Sequence, residues 1–254
     1  MTTLAALVIT FDEEDRIADC LASVAFADEI LVVDSGSTDR TVAIAHASGA
    51  RVIVRDWPGY AAQKNYASEQ VAADWILSVD ADERVTPELA REIRALIAAA
   101  PATLAGASMP RRTWYLGRWI RRGGWYPDRK IRLARRGRGR WEGESVHERF
   151  VIDGTVAPLS GDLLHYTYRN IADHLRTIDR FTTEAARGME AQGRTGAGFA
   201  LLVHPPLKFL KMYLLKAGFL EGLPGFIVAV LGSYYVFLKY AKLWELQRTK
   251  GARG

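Results

Sequence analysis

Four short apolar runs, each followed by polar residues, constrain the fold of the first 80 residues more than any other feature. The runs lie at residues 4–9, 30–33, 51–54 and 75–79, and segments with helical character separate them. Continuous apolar runs are typical of strands buried on both faces of a parallel sheet. We expect one helix to open at the acidic residues 12–14 and another over residues 61–72. This alternation predicts an α/β fold with a Rossmann-like, mostly parallel sheet.

Acidic side chains follow three of the predicted strands. They are Asp12 and Glu13, Asp34 and Asp39, and Asp80 and Asp82. Ligands of open α/β sheets bind outside the carboxyl ends of the strands, so we expect these side chains to line one cleft. Two carboxylates at the end of a buried strand are costly unless a cation lies between them. Mg²⁺ or Mn²⁺ holding a diphosphate would meet that need at Asp80 and Asp82, and a solvated strand end or turn is the alternative.

Three ordered motifs carry a resemblance to a known family. They read VVDSGSTD at 32–39, WPGYAAQKN at 57–65 and DADE at 80–83. Together they resemble the family 2 inverting glycosyltransferases, and within that family the lipopolysaccharide-core enzymes that add glucose to inner-core heptose. The sequences VHE at 146–148 and LHYTY at 164–168 fit the same pattern. One departure is Asp12, where the family commonly has Asn.

The resemblance implies the GT-A nucleotide-diphosphate-sugar transferase fold and a division of the chain. Residues 1–170 would form the catalytic domain, with a nucleotide-sugar-binding half at 1–100 and an acceptor-binding half at 101–170. The apolar composition of residues 171–254, rather than the resemblance, predicts a helical, membrane-associating region. The implied activity is metal-dependent, inverting transfer of a sugar from UDP-glucose or a similar donor to a lipid-linked glycan such as the lipopolysaccharide inner core.

The resemblance also implies roles for individual residues. Those expected to bind the nucleotide sugar are Thr10, Glu13, Asp34, Ser37, Lys64 and Asp80. Asp82 and His165 would hold the Mg²⁺ or Mn²⁺ ion, although a lone His in an apolar, aromatic setting is otherwise a core residue. Direct displacement at an anomeric carbon needs a base for the acceptor hydroxyl, and Glu148 matches the family position. Spacing alone would make Glu148 a surface residue, and Asp162 and Glu144 are other candidates for the base.

A basic segment at residues 111–140 dominates the charge distribution. Eleven Arg and one Lys against one Asp give it a charge of +11, so the remaining chain carries −6 of the net +5. Aromatic residues interleave with the arginines, an arrangement that suits nucleic acid, a phosphorylated sugar or an anionic membrane, or simply a solvated face. No nucleic-acid motif accompanies it, so we expect no nucleic-acid partner. Arg121, Arg122 and Arg129 are expected to bind the acceptor.

The chain from residue 199 is strongly apolar with lysines at intervals. Seventeen uncharged residues separate Glu221 from Lys239, at the lower edge of what spans a bilayer. Glycines, a proline and a serine interrupt this run, so we expect a helical pair lying on or dipping into the inner leaflet; a true span and packing on the core are the alternatives. The single Cys20 excludes a disulfide framework. We expect a cytoplasmic enzyme, without a secretory signal, peripheral on the inner membrane.

Two other function classes remain open at this point. A sugar-phosphate nucleotidyltransferase could use a similar fold and metal, but the sequence has no early Gly-rich loop with Arg and Lys for a triphosphate. A non-catalytic membrane or nucleic-acid adaptor would account for the basic segment and the apolar C-terminal region. It would not account for the ordered carboxylates at strand ends.

Overall fold

The structure is a computed structural model that describes residues 2–143 and 149–251. It contains two compact units. The first unit comprises residues 1–112 and 128–166, and the second comprises residues 113–127 and 167–254. The second unit therefore joins an excursion from the middle of the chain to the C-terminal helices. The functional boundary expected at residue 170 stays a prediction.

The first unit begins with the predicted alternation of strands and helices. Its elements are β1 (Leu4–Thr10), α1 (Ile17–Ser23), β2 (Glu29–Asp34), α2 (Thr41–Ala47), β3 (Arg51–Val54), α3 (Tyr60–Glu69) and β4 (Trp75–Asp80). The four strands are parallel and lie in the order β3-β2-β1-β4. Thr10 is level with Asp34, and Ile9 is level with Asp80. The carboxyl ends of β1, β2 and β4 therefore meet at one edge of the sheet.

The start expected for the first helix is wrong. Helix α1 begins at Ile17, and residues 12–14 form a loop instead. Asp12 has a φ of 50°, in the left-handed region, which an α-helix does not use. The carboxylates of Asp12 and Glu14 accept hydrogen bonds from the amides of Thr38 and Arg40, in the loop that follows β2. These bonds hold residues 12–14 in a loop instead of a helix.

The chain continues with further strands, most of them antiparallel, that the sequence did not indicate. The next elements are β5 (Glu83–Val85), α4 (Pro87–Ala99), β6 (Leu104–Tyr115), β7 (Arg118–Ile120), β8 (Asp128–Arg135), β9 (Gly139–Glu142), β10 (Arg149–Ile152), β11 (Thr155–Pro158) and β12 (Leu163–His165). Strand β8 pairs antiparallel with β4 and β6, and β12 pairs antiparallel with β5. Strands β9 and β10 form a separate hairpin. Helix α4 begins after Thr86, whose side chain accepts a hydrogen bond from the Leu89 amide.

Strand β1 is buried on both faces, as its continuous apolar run predicts. Leu4, Ala6 and Val8 belong to one core cluster, which also contains α1 and α4 side chains. Ala5 and Leu7 alternate with them and belong to a second cluster on the opposite face. This period of two is the geometry of a strand covered by helices on both sides.

The second unit contains β7 and the C-terminal helices. The helices are α5 (Ile171–Ala191), α6 (Ala197–Leu210), a π-helical turn (Lys211–Leu215), a 3₁₀ turn (Gly218–Glu221) and α7 (Gly222–Gly251). The core of the unit includes Tyr115 and Ile120 from the excursion, packed with Met212, Val228 and Ala229.

Helix α7 runs through the small residues that interrupt its apolar sequence. Pro224 lies in its first turn, where a missing amide hydrogen is tolerated. A Cβ on Gly232 would lie 2.5 Å from the Sδ atom of Met212. Glycine therefore permits the close approach of the π-helical turn that contains Met212. Ser233 donates a hydrogen bond to the carbonyl oxygen of Pro205 at 2.7 Å. Helices α6 and α7 pack together and form the expected helical pair.

One helical segment of the described chain, Gly218–Thr249, is long and apolar enough to cross a membrane by length and composition. About 28% of its most apolar window is buried within the protein. Large apolar side chains are exposed along α6, α7 and the turns between them; the most exposed are Phe199, Leu202, Leu215 and Leu223. Core helices of soluble proteins can have the same length and composition.

Candidate functional site

The loops that follow β1 and β2 are joined by side-chain hydrogen bonds. Asp34 is fully buried, and its carboxylate accepts hydrogen bonds from the amides of Gly36 and Ser37 at 2.9 and 2.8 Å and from the Ser37 hydroxyl. The Asp12 amide donates to the Ser37 hydroxyl at 2.9 Å. In return, the Thr38 amide donates to the Asp12 carboxylate at 2.8 Å. Asp34 and Ser37 thus shape the turn itself, and their predicted contact with a nucleotide stays a prediction.

Thr10 and Glu13 lie at the same edge. Thr10 is the last residue of β1, and its buried hydroxyl has no hydrogen-bond partner within residues 2–143 and 149–251. The Glu13 amide donates to the hydroxyl of Thr41 at 2.8 Å, and the Glu13 carboxylate lies 3.8 Å from Arg16. These contacts fix the backbone of the loop beside β2. The loop therefore has the position required of a nucleotide-binding element in a sheet of this kind.

A buried network of charged side chains lies behind the end of β4. Lys64 Nζ is 3.0 Å from Asp80 Oδ1. The guanidinium of Arg132, on β8, donates to both Asp80 and Glu83, and its contact to Glu83 is 2.7 Å. Arg111 also contacts Glu83, at 3.3 Å. Two carboxylates and three cations are thus held together; Lys64, Glu83 and Arg132 are buried, whereas the Asp80 side chain is 29% exposed.

The network controls the ionisation of Asp80. Burial raises the pKa of its carboxyl group, but the charges of Arg132 and Lys64 outweigh burial and hold the pKa well below its usual range. The pKa of Arg132 is raised, because Asp80 and Glu83 outweigh the effect of its burial. Asp80 is therefore a carboxylate at neutral pH. The predicted donor-binding residues Lys64 and Asp80 are brought together, bound to each other.

Trp141, on β9, covers this network. Its ring lies 4.2 Å from the ammonium of Lys64, a cation–π distance. Asn65, the next residue on α3, forms two hydrogen bonds of 2.9 Å with the backbone of Trp141. Arg132, Glu83 and Trp141 were missed by sequence reasoning. Glu83 ends the DADE motif and Arg132 belongs to the basic segment, but only the pairing of β4 with β8 brings them together.

Asp82 and His165 form a separate pair. His165 Nε2 lies 3.2 Å from Asp82 Oδ2. The pairing of β12 with β5 brings them together, and the Tyr166 amide donates to the Asp82 carbonyl oxygen at 2.9 Å. Burial raises the pKa of Asp82, but His165 outweighs it and lowers the pKa below the usual value. The structure thus places together the two residues that were predicted as metal ligands.

The donor atoms of this pair fit a divalent cation. Two adjacent ligands at about 2.1 Å from an octahedral ion lie roughly 3 Å apart, close to the observed 3.2 Å. Among residues 2–143 and 149–251, no group of three or more His, Cys, Asp or Glu side chains could hold a metal ion. The protein therefore offers an incomplete set, which substrate oxygens and water would have to complete, as is usual for Mg²⁺ with phosphate substrates.

The basic segment is largely neutralised by ion pairs. Its pairs within the first unit include Arg111–Asp128, Arg112–Asp162, Lys130–Asp128, Arg138–Asp153 and Arg140–Glu142, and within the second unit Arg118–Glu221. Many of its charges thus have a structural role, so it is not simply a solvated basic face.

The three arginines predicted to bind the acceptor are divided between the units. Arg129 belongs to the first unit, where its guanidinium donates to the carbonyl oxygens of Ser108 and Leu159 at 3.3 and 3.1 Å. Arg121 and Arg122 are exposed and belong to the second unit. Their role in acceptor binding stays a prediction.

Glu148, the predicted base, lies outside the described residues, as does Glu144. On either side of them the hairpin is defined: Glu142 is opposite Arg149, and their side chains are 3.3 Å apart. The role of Glu148 therefore stays a prediction.

Comparison with known proteins identifies the family. The model of "Glycosyl transferase family 2" matches residues 5–152, more than half of the chain. The chain belongs to glycosyltransferase family 2. This family 2 enzyme is 33% identical to the lipopolysaccharide core biosynthesis glycosyltransferase LpsC of Rhizobium meliloti, over 97% of this chain and 94% of LpsC. It is 31% identical to an uncharacterized glycosyltransferase of Rickettsia typhi, over 97% of this chain and 88% of that protein.

The fold also has a counterpart among solved structures. A crystal structure of a mycobacterial protein aligns with a TM-score of 0.50 at 17% identity, covering 73% of this chain and 74% of that one. The predicted GT-A type α/β fold, the family and the glycosyltransferase class of this enzyme are confirmed. The nucleotidyltransferase and adaptor alternatives no longer apply.

Proposed function

We propose that this enzyme transfers a sugar, with inversion and with the help of Mg²⁺ or Mn²⁺, from a nucleoside diphosphate sugar such as UDP-glucose to a lipid-linked glycan of the lipopolysaccharide core type. The similarity to LpsC over nearly the whole chain supports the acceptor class. The single observation that carries the proposal is the Asp82–His165 pair beside the carboxyl ends of the parallel strands. That edge is where open α/β sheets bind nucleotides.

The donor would lie along the loops after β1, β2 and β4. Thr10 and Glu13 would contact the nucleoside side, where the Thr10 hydroxyl is available as a donor or acceptor. The turn that Asp34 holds together presents backbone groups at the same edge. Arg132 and the ion pair between Lys64 and Asp80 hold these side chains in place, so they would form a rigid wall of the donor site. A rigid wall lowers the entropy lost on binding.

Asp82 and His165 would hold the divalent cation, which would neutralise charge that develops on the leaving diphosphate. Asp82 would offer a negative carboxylate oxygen, because a bound cation favours the ionised form of a carboxyl group. His165 would offer the lone pair of Nε2, with its proton on Nδ1, which is buried and has no hydrogen-bond partner in the described chain.

Glu148 would act on the acceptor. Its carboxylate would accept the proton of the acceptor hydroxyl while the oxygen forms its bond to the anomeric carbon. The bond from that carbon to the diphosphate oxygen breaks on the opposite face, so the centre is inverted in one step. No covalent enzyme intermediate is needed.

The acceptor would be reached at the inner face of the cytoplasmic membrane. Exposed apolar side chains from Phe199 to Leu223 would contact the lipid, and Arg121 and Arg122 would attract anionic groups. Arg129 would serve the acceptor from the first unit. In this proposal residues 1–170 carry out catalysis, and residues 171–254 provide membrane attachment.

The proposal is tested by incubating the purified enzyme with a panel of nucleotide sugars and measuring nucleoside diphosphate release with and without lipopolysaccharide-core acceptors. We expect turnover with one donor, loss of turnover in excess chelator, and recovery with Mn²⁺ or Mg²⁺. Asp82→Ala should abolish turnover without lowering the melting temperature. Asp153→Ala is the matched control, because Asp153 is an exposed aspartate of the same unit.

Two outcomes would contradict the proposal. Full turnover in excess chelator would exclude the metal role of Asp82 and His165. Turnover with neutral, water-soluble sugars that equals turnover with the lipid-linked glycan would exclude the acceptor class.

A further inference from the structure

The second unit contains a cavity that the proposed sugar transfer does not use. Its volume is about 520 Å³, within the roughly 300–1,000 Å³ of small-molecule sites. The residues that line it include Trp125, Tyr168, His174, Thr177, Lys208, Lys211 and Lys216. All of them belong to the second unit.

One wall of the cavity is aromatic and uncharged. The rings of Tyr168 and His174 are stacked with centroids 3.9 Å apart, and Trp125 lies 6.1 Å from His174. His174 Nδ1 is 3.0 Å from the hydroxyl of Tyr115. Burial lowers the pKa of His174 to about 4 despite the nearby Asp173, so its ring is neutral at pH 7. This wall therefore favours apolar groups.

Three lysines lie among the other residues that line the cavity. Lys208, Lys211 and Lys216 line it, and among its described lining residues none is acidic. The pKa of Lys208 lies below its usual value, because surrounding protein removes water from the ammonium group and because Lys211 repels it. Like charges three residues apart on a helix destabilise it. A bound anion would remove this repulsion.

A glycine turn holds the third lysine at the cavity. Gly123 and Gly124 have φ values of 70° and 81°, in the left-handed region that glycine adopts without strain. The Gly123 amide donates to the carbonyl oxygen of Lys216 at 2.9 Å. A Cβ on Gly124 would lie 3.8 Å from Cγ of Lys216, so the lysine side chain runs close to this turn. Lys216 is thus tethered beside the aromatic wall.

We propose that this cavity binds the phosphate group of an anionic amphiphile, with the phosphate at the three lysines and the adjoining apolar part against the aromatic wall. This occupant is complementary to the cavity, because the described lining contains three lysines and no acidic residue, which suits phosphate, and neutral rings, which suit carbon chains. Leu214 and Leu215, between Lys211 and Lys216, are exposed and extend the apolar surface outward. The inference does not rest on sugar transfer, because it concerns the second unit alone.

The test measures binding to the full-length enzyme by titration calorimetry in the presence of chelator and without a donor. The probes are dihexanoyl phosphatidic acid, dihexanoyl phosphatidylcholine and inorganic phosphate, all soluble as monomers. We expect binding of the phosphatidic acid, weaker binding of phosphate alone, and little binding of the phosphatidylcholine. Lys208→Gln and Lys211→Gln should each weaken binding of the phosphatidic acid about tenfold, as expected for loss of a charge-assisted hydrogen bond.

Two further variants separate the site from general charge and from misfolding. Arg187→Gln removes the same charge from the exposed face of α5 and should leave binding unchanged. Thr177→Trp should fill the cavity and abolish binding; the lysine variants keep the test valid if Thr177→Trp lowers the melting temperature.

Three results would overturn the inference. Equal affinity for the two lipids would exclude recognition of phosphate charge. Equal affinity for inorganic phosphate and phosphatidic acid would exclude a role for the apolar wall. Equal losses in the lysine variants and in Arg187→Gln would exclude the cavity as the site. Since the assay contains neither metal nor donor, none of these results bears on the proposed transferase activity.

Discussion

Replacing Arg132 by Met should destabilise the enzyme more than any exposed arginine replacement in the same segment. Arg132 is 6% exposed and contacts Asp80 and the fully buried Glu83. Met has a similar length but no charge, so the buried Glu83 and the part-exposed Asp80 would each lose a partner. Removing one member of a buried ion pair costs about 3–5 kcal/mol.

The contacts that Glu83 and Asp80 would keep in Arg132→Met determine where the loss of unfolding free energy lies within that range. Glu83 would keep Arg111 at 3.3 Å, and Asp80 would keep Lys64 at 3.0 Å. We therefore expect a loss near the lower limit, about 3 kcal/mol. With a urea m-value of about 2.5 kcal/mol per M, the unfolding midpoint would fall by roughly 1.2 M.

The assay is urea unfolding followed by circular dichroism, with Arg138→Met as the matched control. Arg138 pairs with the exposed Asp153 at 3.5 Å, so its loss should cost at most about 1 kcal/mol. Combining Arg132→Met with Glu83→Gln should cost less than the sum of the single variants, by about 1 kcal/mol or more. Equal midpoints for Arg132→Met and Arg138→Met, or strict additivity with Glu83→Gln, would refute the reasoning.

Three other predictions concern the base, the pH dependence and the membrane. Glu148→Gln should lower kcat about 10²–10⁴-fold while calorimetry shows unchanged donor binding, and lost donor binding would instead assign Glu148 to the nucleotide site. The pKa of Asp28 is lowered by its hydrogen bond from Arg94, so Asp28→Asn should cost up to about 1 kcal/mol above about pH 4. This cost should vanish in unfolding experiments as pH falls through the lowered pKa, because protonation removes the same contact; a cost independent of pH would contradict it. Leu215→Ser combined with Leu223→Ser should weaken sedimentation with anionic vesicles about tenfold, and unchanged sedimentation would exclude these side chains from the membrane contact.

The parallel half of the fold could be predicted because its signals are local. Strands β1 and β4 are continuous apolar runs, and Thr86 followed by Pro87 marks the start of α4. The start of α1 could not be predicted, because it depends on where Asp12 finds its partner: Thr38, 26 residues away, draws Asp12 into a loop. Local charge patterns do not report such contacts.

In the candidate site, too, local signals could be predicted from the sequence and long-range contacts could not. Asp82 and His165 are 83 residues apart, and only the family resemblance suggested that they act together before the structure placed them 3.2 Å apart. Arg132 looked like one of many arginines in a basic segment. Its burial follows from β8 lying against β4, with Leu77 level with Leu133. Antiparallel pairing across 56 residues leaves no mark in the spacing of either strand.

The excursion at residues 113–127 also determines how this enzyme can be divided by protein engineering. The chain leaves the first unit, contributes Tyr115 and Ile120 to the core of the second, returns at residue 128, and leaves again after residue 166. Deleting the C-terminal helices would remove Met212 and Val228, which pack against those two side chains. Tyr115 and Ile120 would then be exposed to solvent, and the shortened protein should aggregate. Helices grafted onto another enzyme would lack Tyr115 and Ile120, so Met212 and Val228 would have no core to pack against. Residues 113–127 and 167–254 can therefore be exchanged only together. Recombination between relatives should yield soluble chimeras only when both segments come from the same parent.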